Sequence, residues 1–385
     1  MSKFTTSDSQ ISSNLIIPVL EAETVETHSF YQQTFKKIAN FLLFNTRLLL
    51  PKNQVFTFLE IEFYLRDETH DHDDPYSHGH EHQLTSGEWY FHHVGKVGYR
   101  GGTRKGVDIT FGSRDRNIYG GILIRSIRND TNNQVIEGPS LVVDKILECC
   151  GVDQKGGIRE MVEIHWKEKS GILKDAENSN GLVYITLLNN VKETSSHNSL
   201  LNENNEILAS PYFSQHSSGS NKKRNNTETE AVSPYFPQSS PISRQKKIKF
   251  DYQDELKSEN PSPTESSSEL SSSCVVYNSP RVGLTLSNTL PSPEVRLRYI
   301  LKPYRFMIFP HLLKKGKAQL IVGLHDEFND VSKVAEILRT NQATVVNHVR
   351  EVSMGMGDDG GDVKSFLGIK NKGSSGLEYC RMVGV

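Results

Sequence analysis

The stretch FTFLEIEFYL, residues 56–65, decides the fold. Successive side chains of a β-strand point to opposite faces. Thr57, Leu59, Ile61, Phe63 and Leu65 therefore share one almost wholly apolar face, and Phe56, Phe58, Glu60, Glu62 and Tyr64 share the other. The second face begins apolar and ends in two carboxylates and a phenol. An apolar face needs a core to lie against, and a face ending in ionisable groups predicts a pocket that handles protons. Two carboxylates on one face also repel, which separates their pKa values. The plain alternative is an edge strand whose glutamates point to solvent.

Before this strand, Phe35, Ile38, Ala39, Leu42 and Leu43 recur at three- to four-residue spacing, a helix face. A short strand at 47–50 and a Pro-Lys-Asn-Gln turn follow. After it, residues 67–88 read as a polar loop crowded with His and Asp. Strands are expected at 89–94, 106–111 and 120–127 (GGILIRSI). Gly138-Pro139-Ser140 stops the last of these, with Ser140 as the expected cap of the helix LVVDKILECC. Further strands are expected at 161–166 and 182–188.

Composition divides the chain. Residues 1–24 form a flexible polar start, and 25–190 the first part of a domain. Residues 191–292 are dominated by Ser, Asn, Pro, Lys and Glu and read as a disordered insertion. The second part, 293–385, opens with VRLRYILKPYRFMIFPHLL and continues with a strand-like AQLIVGLH. A helix over 331–352 capped by Asp330 and a glycine-rich loop at 355–361 follow, then DVKSFLGI and LEYCRMV as short elements. The expected architecture is mixed α/β (α+β): a single domain with a curved, mainly antiparallel sheet flanked by helices and interrupted by the insertion.

Net charge is −2 over 385 residues, so a nucleic-acid site has to be a local basic patch. Arg100, Arg104 and Lys105 lie in one basic group, from Lys96 to Arg128. Lys314 and Lys315 lie in another, from Arg296 to Lys317. Tyrosines interleave both, a pattern that suits a phosphate backbone beside unstacked bases. The four cysteines, Cys149, Cys150, Cys274 and Cys380, form no CxxC pair, which reads as a reducing compartment, nucleus or cytoplasm. No stretch approaches the roughly 18 apolar residues of a membrane span, and the start shows no secretory signal. The insertion repeats Ser-Pro-Tyr-Phe at 210 and 233, an expected docking peptide for a partner, and carries the basic run Arg244 to Lys249.

The segment THDHDDPYSHGHEH alternates His78, His80 and His82, a spacing that puts three imidazoles on one strand face. Its Gly, Pro and Asp residues favour a mobile loop, so no metal ligands are assigned. YRGGTRKG lacks P-loop spacing, yet Gly101 and Gly102 allow a phosphate close to the backbone.

The order of these motifs resembles the alkyladenine (3-methyladenine) DNA glycosylase family. Glu62-Phe63-Tyr64-Leu65 resembles that family's Glu-X-Tyr-Leu strand, and Asp74 through His78 its Asp-X-X-X-His. Val107-Asp108-Ile109-Thr110 falls at its Asn-bearing strand, Ile122 through Ile127 at its arginine strand, and Gly138-Pro139 at its Gly-Pro turn. The resemblance covers roughly residues 30–150. It implies that Glu62 holds and deprotonates the attacking water and that Arg125 serves near the water and the sugar-phosphate. Tyr64 and His78 would stack on a flipped base, with Asp108 and Tyr99 as further substrate contacts. The chain departs from the family in carrying Asp108 for the pocket asparagine and Gly101 about where the wedge tyrosine falls, which marks a divergent branch. The implied activity is a monomeric hydrolase, free of metal and cofactor, that releases an alkylated purine from DNA in base excision repair. Breaking the bond develops positive charge on the sugar, which a carboxylate stabilises, and the target base has to leave the stack. Two other readings stand beside it: a non-catalytic nucleic-acid-binding protein on the same scaffold, and a metal-dependent enzyme using the histidine loop.

Overall fold

The structure, a computed structural model, describes residues 6–19, 27–95, 98–153, 157–194, 275–287, 290–356, 362–367 and 375–384. The SPYF repeats, the basic run at 244–249, Cys274 and most of the glycine-rich loop at 355–361 lie outside the described residues.

The first part contributes α1 (Thr6–Asn14), α2 (Thr27–Asn40), β1 (Thr46–Leu50), β2 (Gln54–Asp67), β3 (His72–Asp73), β4 (Ser86–Phe91), β5 (His93–Val94) and β6 (Gly98–Tyr99). It continues with β7 (Val107–Phe111), β8 (Tyr119–Asn129), β9 (Val135–Glu137), α3 (Pro139–Cys149), α4 (Gly157–Glu160), β10 (Tyr184–Leu187) and α5 (Leu188–Thr194). The second part contributes β11 (Tyr277–Ser279), α6 (Pro293–Leu301), β12 (Arg305–Met307), α7 (Lys317–Phe328), α8 (Val331–Ile337), α9 (Gln342–Gly355) and α10 (Ser375–Val383). The fold is mixed α+β around a curled antiparallel sheet in the order β10-β1-β2-β8-β7-β4.

The quoted stretch is the middle of β2, and every residue from Phe56 to Phe63 is buried. One edge of β2 pairs with β8 from Phe56 to Arg66. The other edge is shared in succession by β1, β12 and β3. The edge-strand alternative for the two glutamates therefore fails. On the apolar face, Phe63 stacks on Phe35 of α2 at 4.6 Å and meets Phe111 and Phe306 edge-on at 5.5 Å. Such offset and edge-to-face pairs add to simple burial. The opposite face carries Glu60 and Glu62. The register reads Phe58↔Ile127, Glu60↔Ser126, Ile61↔Ile124, so Leu59 on β2 and Arg125 on β8 each stand without a partner. Two compensating bulges thus turn the strands beside both carboxylates, a local re-aiming that bulges allow.

Several expectations change; the strand expected at 89–94, for one, ends at Phe91, and His93–Val94 pairs instead with β6. The segment at 161–166 is a π-helical turn, not a strand; the Trp166 amide donates to the Met161 carbonyl. AQLIVGLH lies in helix α7, and Ala318 through Leu324 are all buried. A helix buried all round carries no polar face, so its apolar run reads as a strand. Ser140 does not cap α3: its hydroxyl donates to the Gly102 carbonyl, and Gly138 at φ 115° is the cap, with Pro139 at the first helical position. The single helix expected at 331–352 is two helices, with Asp330 capping the first.

The far end of the compositionally poor tract belongs to the sheet. β11 pairs with β12, and β12 with Glu60–Glu62 of β2. A deletion running through Ser292 removes β11 and Arg281 and is expected to abolish cooperative thermal unfolding. A deletion ending at Ser273 retains both and is expected to keep the transition. Equal unfolding curves for the two deletions, read by circular dichroism, would contradict the pairing of β11 with the sheet.

Candidate functional site

Six charged groups lie together, fully or almost fully buried: Glu60, Glu62, Asp74, Arg125, Arg281 and Arg305. Glu60 accepts from Arg125 Nε at 3.0 Å, Arg305 Nε at 2.6 Å and the Ser126 hydroxyl at 2.5 Å. Burial works to raise the Glu60 carboxyl. The Arg305 and Arg125 charges overcome it and hold the group below its ordinary value. Glu62 accepts from the Val282 amide at 2.7 Å on one oxygen, and from the Tyr64 hydroxyl at 2.8 Å and Arg125 Nη1 at 3.2 Å on the other. Arg281 holds Asp74 through both terminal nitrogens and lies 4.5 Å from the Tyr64 ring centroid. Arg305 also donates to the Lys315 and Gly316 carbonyls. Three carboxylates and three guanidiniums balance, which a buried charge requires.

Asp74 carries this order into the histidine loop. It accepts the Tyr76 amide on its side chain and the Ser77 amide on its carbonyl. Further along, the His80 ring accepts the His82 amide and Gln83 reaches back to the His80 amide. The loop expected to be mobile is thus held at both ends, and it packs against β4 and β5. His80 stacks on His93 at 4.5 Å, and His78 meets His92 at 4.3 Å.

Between loop and sheet lies a cleft of about 580 Å³. Tyr64, His78, Asp108 and Arg100, four of the residues chosen from sequence, line it together with Tyr76, Gln83, Tyr90, His92 and His93. Burial and the Glu62 charge push the Tyr64 phenol well above its ordinary value. Burial, reinforced by His92, pushes His78 down to about 4. Burial, with His80 and His82 adding, pushes His93 to about 4. Both imidazoles are therefore neutral at pH 7 and offer flat faces and lone pairs instead of charge. Asp108 accepts His92 Nε2 at 2.7 Å and stands 3.4 Å from the Gln83 amide. His92 and Asp108 form the one carboxylate–imidazole pair on the cleft wall among the described residues.

Glu62 and Arg125 do not line the cleft. Glu62 lies one layer below and reaches it only through the Tyr64 hydroxyl. Tyr99 stands beside the cleft with its ring 4.5 Å from His93. Lys105 borders a neighbouring hollow of about 350 Å³, reached from the cleft through Arg100, and is ion-paired to Asp144. Arg104 is exposed on a single turn. Lys314 and Lys315 do not line the cleft: their backbone amides donate to the Glu137 side chain, and Lys315 Nζ donates to the Glu137 carbonyl. Among the described residues no group of three His, Cys, Asp or Glu side chains converges to hold a metal ion, and no helix is long and apolar enough to cross a membrane. Sequence reasoning missed His92, Tyr90 and Gln83. The legible signal was the alternation on β4, which places Tyr90 and His92 on one face beside Asp108, paired with Tyr90 in register. It missed Arg281 because that residue lies inside the tract, 191–292, whose composition reads as a disordered insertion.

No family model matches the chain. A stretch of 117 residues is 40% identical to a protein of Acanthamoeba polyphaga mimivirus described as uncharacterized protein L759; the match covers 28% of this chain and 53% of that protein. The chain thus spans about half the length of the curated relative it matches.

Two stability effects follow from this geometry. Arg305→Met leaves Glu60 short of a buried partner and is expected to cost about 3–5 kcal/mol in urea unfolding. His72, buried against the Tyr304 hydroxyl, is pushed by burial to about 4, as are His78 and His93, against an ordinary 6.5. Because the folded values are depressed, the unfolded chain takes up protons first. Their stabilisation is full above about pH 6.5 and is lost as pH falls toward 4, where the lowered Glu60 extends the loss. A urea midpoint flat between pH 7 and 4.5 would contradict these assignments.

Proposed function

We propose that the protein is a hydrolase that releases a modified purine from nucleic acid by breaking its N-glycosidic bond, with the cleft as the base pocket. The observation that carries this reading is the cleft wall itself. Tyrosines and uncharged imidazoles supply flat faces for an unstacked base, and the His92–Asp108 pair supplies the proton transfers. Arg100 at the wall takes the adjoining phosphate. The Glu62 charge beneath Tyr64 favours positive charge on the sugar and keeps the phenol as its donor, so the phenol oxygen can accept from the substrate.

In the reaction, water adds to C1′ and the C1′–N bond breaks. The water proton passes to the His92–Asp108 pair, which returns one proton to the departing base nitrogen. No cofactor enters this balance. The role first given to Glu62, direct activation of water, passes to the residues that meet the cleft, and Glu62 acts through its field. Arg125 is then a positioning residue that holds Glu60 and Glu62.

The test is release of free base from methylated duplex DNA, methylated single strands and the methylated nucleoside, separated by chromatography. Positioned general acid–base groups contribute roughly 10²–10⁴-fold, so His92→Gln is expected to lower kcat by about that factor. Tyr64→Phe, which frees one Glu62 lone pair, is expected to lower it less. Absence of base release from all three substrates would leave the non-catalytic binding protein as the better reading. Undiminished release by His92→Gln would remove the proposed acid–base pair.

A further inference from the structure

The break that splits the expected helix at 331–352 has a specific form. α8 ends at Ile337, four residues follow, and Asn341 caps α9 by accepting the Ala343 amide at 2.7 Å. Within the turn, Arg339 adopts φ 47°, a left-handed conformation that glycine takes more readily. The Thr340 amide donates to the Ala335 carbonyl, closing the end of α8. Val334 and Ala335 from α8, Leu338 from the turn, Val345 from α9 and Leu320, Ile321 and Leu324 from α7 belong to one buried cluster. Lys317 at the start of α7 ties to Thr340 in the turn at 2.7 Å. Three helices around a shared core, with a four-residue turn between the last two, are the parts of a helix-turn-helix unit.

The surface of α9 completes the argument. Val345 is turned into the core. On another side Glu351 pairs with Arg381 of α10, and Gly355 abuts the Arg381 carbonyl so closely that a Cβ there would lie 2.1 Å from it. The remaining stripe, Ala343, Val346, Asn347, Arg350 and Met354, repeats at +3, +4, +7 and +11 and is exposed. Val346 and Met354 are about half exposed, at 47% and 53%. These side chains match base edges: Asn with adenine, Arg with guanine, and Val or Ala with the thymine methyl. Lys333 on α8, Arg339 in the turn and Arg350 on α9 bring positive charge to the same unit. Against them, Glu336 on α8 and Asp326 and Glu327 at the far end of α7 are exposed, Asp330 is taken up in capping α8, and Glu351 is neutralised by Arg381.

We infer that α7, α8 and α9 form a helix-turn-helix unit that lays the exposed stripe of α9 in the major groove of duplex DNA. The inference is independent of the base-release reading. If both hold, this unit selects the duplex and the cleft receives one of its bases.

The test uses the full chain and a pool of randomised duplexes carried through rounds of selection, followed by anisotropy on one enriched duplex. The wild type is expected to enrich a short motif. Asn347→Ala and Arg350→Ala are each expected to weaken binding of that duplex by roughly 5- to 100-fold and to relax one base position. Arg339→Gly removes a charge while suiting the left-handed turn. Its thermal midpoint is expected to match or exceed the wild type, and the slope of log affinity against log salt to fall by about 1. A pool that emerges unenriched, or α9 variants that bind the enriched duplex as well as the wild type does, would overturn the inference. A partner protein that competes for α9 while those variants keep their duplex affinity would do the same. The assay reads binding alone, so an inert cleft leaves its outcome intact. Base release from methylated nucleoside by Arg350→Ala reports on the cleft alone.

Discussion

The structure depends on six buried charges. Glu60, Glu62 and Asp74 are neutralised by Arg125, Arg281 and Arg305, and every carboxylate oxygen of the set has a donor. Desolvating each ion costs several kcal/mol, and only close geometry with further hydrogen bonds returns that cost. The cluster is therefore more a condition on which chain segments meet than a reserve of stability. Its members come from β2, from β8, from the loop after β3, from the segment just after β11 and from β12. None of those segments can move away without leaving a charge buried and alone.

That condition explains how a chain interrupted by a long tract still builds one sheet. β12 pairs antiparallel with β2 so that Arg305 lies opposite Glu62, while its guanidinium reaches Glu60. Arg281 crosses to Asp74 and to the Phe63 carbonyl. The second part of the domain is stapled to the first by charge as well as by strand pairing. Backbone pairing alone tolerates slippage where side chains do not specify the register; here Arg281 is committed to Asp74, Arg305 to Glu60, and Arg125 spans Glu60 and Glu62.

The same charges shape the cleft above them. Asp74 holds the root of the histidine loop, and Glu62 holds the Tyr64 hydroxyl that lines the cleft floor. The loop's polar composition pointed to a mobile segment, and composition by itself favours that outcome. Anchoring at Asp74 and the reciprocal bonds of His80 and Gln83 replace backbone freedom with a fixed wall. Ordering costs roughly 1–2 kcal/mol of backbone entropy per residue, which the stacked imidazole and phenol rings and the buried ion pair help offset.

Local chemistry by itself determined a good deal. The alternation in FTFLEIEFYL marked a strand with one apolar face and one face ending in charge; pairing on both edges made it central. The 3.6-residue spacing marked α2, and Asp330 marked a helix start. Tyr64, His78 and Asp108, which the family resemblance singled out, and Arg100, which the basic group singled out, all line one cleft. Tertiary structure decided the rest. Glu60 and Glu62 look alike in sequence, and only the arginines of distant segments assign one to an ion-pair hub and the other to the underside of the cleft. His92 became a partner of Asp108 through strand register, which no single strand encodes. AQLIVGLH read as a strand because a helix surrounded by core has no polar face to reveal its period. The break between α8 and α9 escaped notice because Arg339 is not a glycine: its left-handed backbone is imposed by the packing of three helices, a constraint that exists only once they meet.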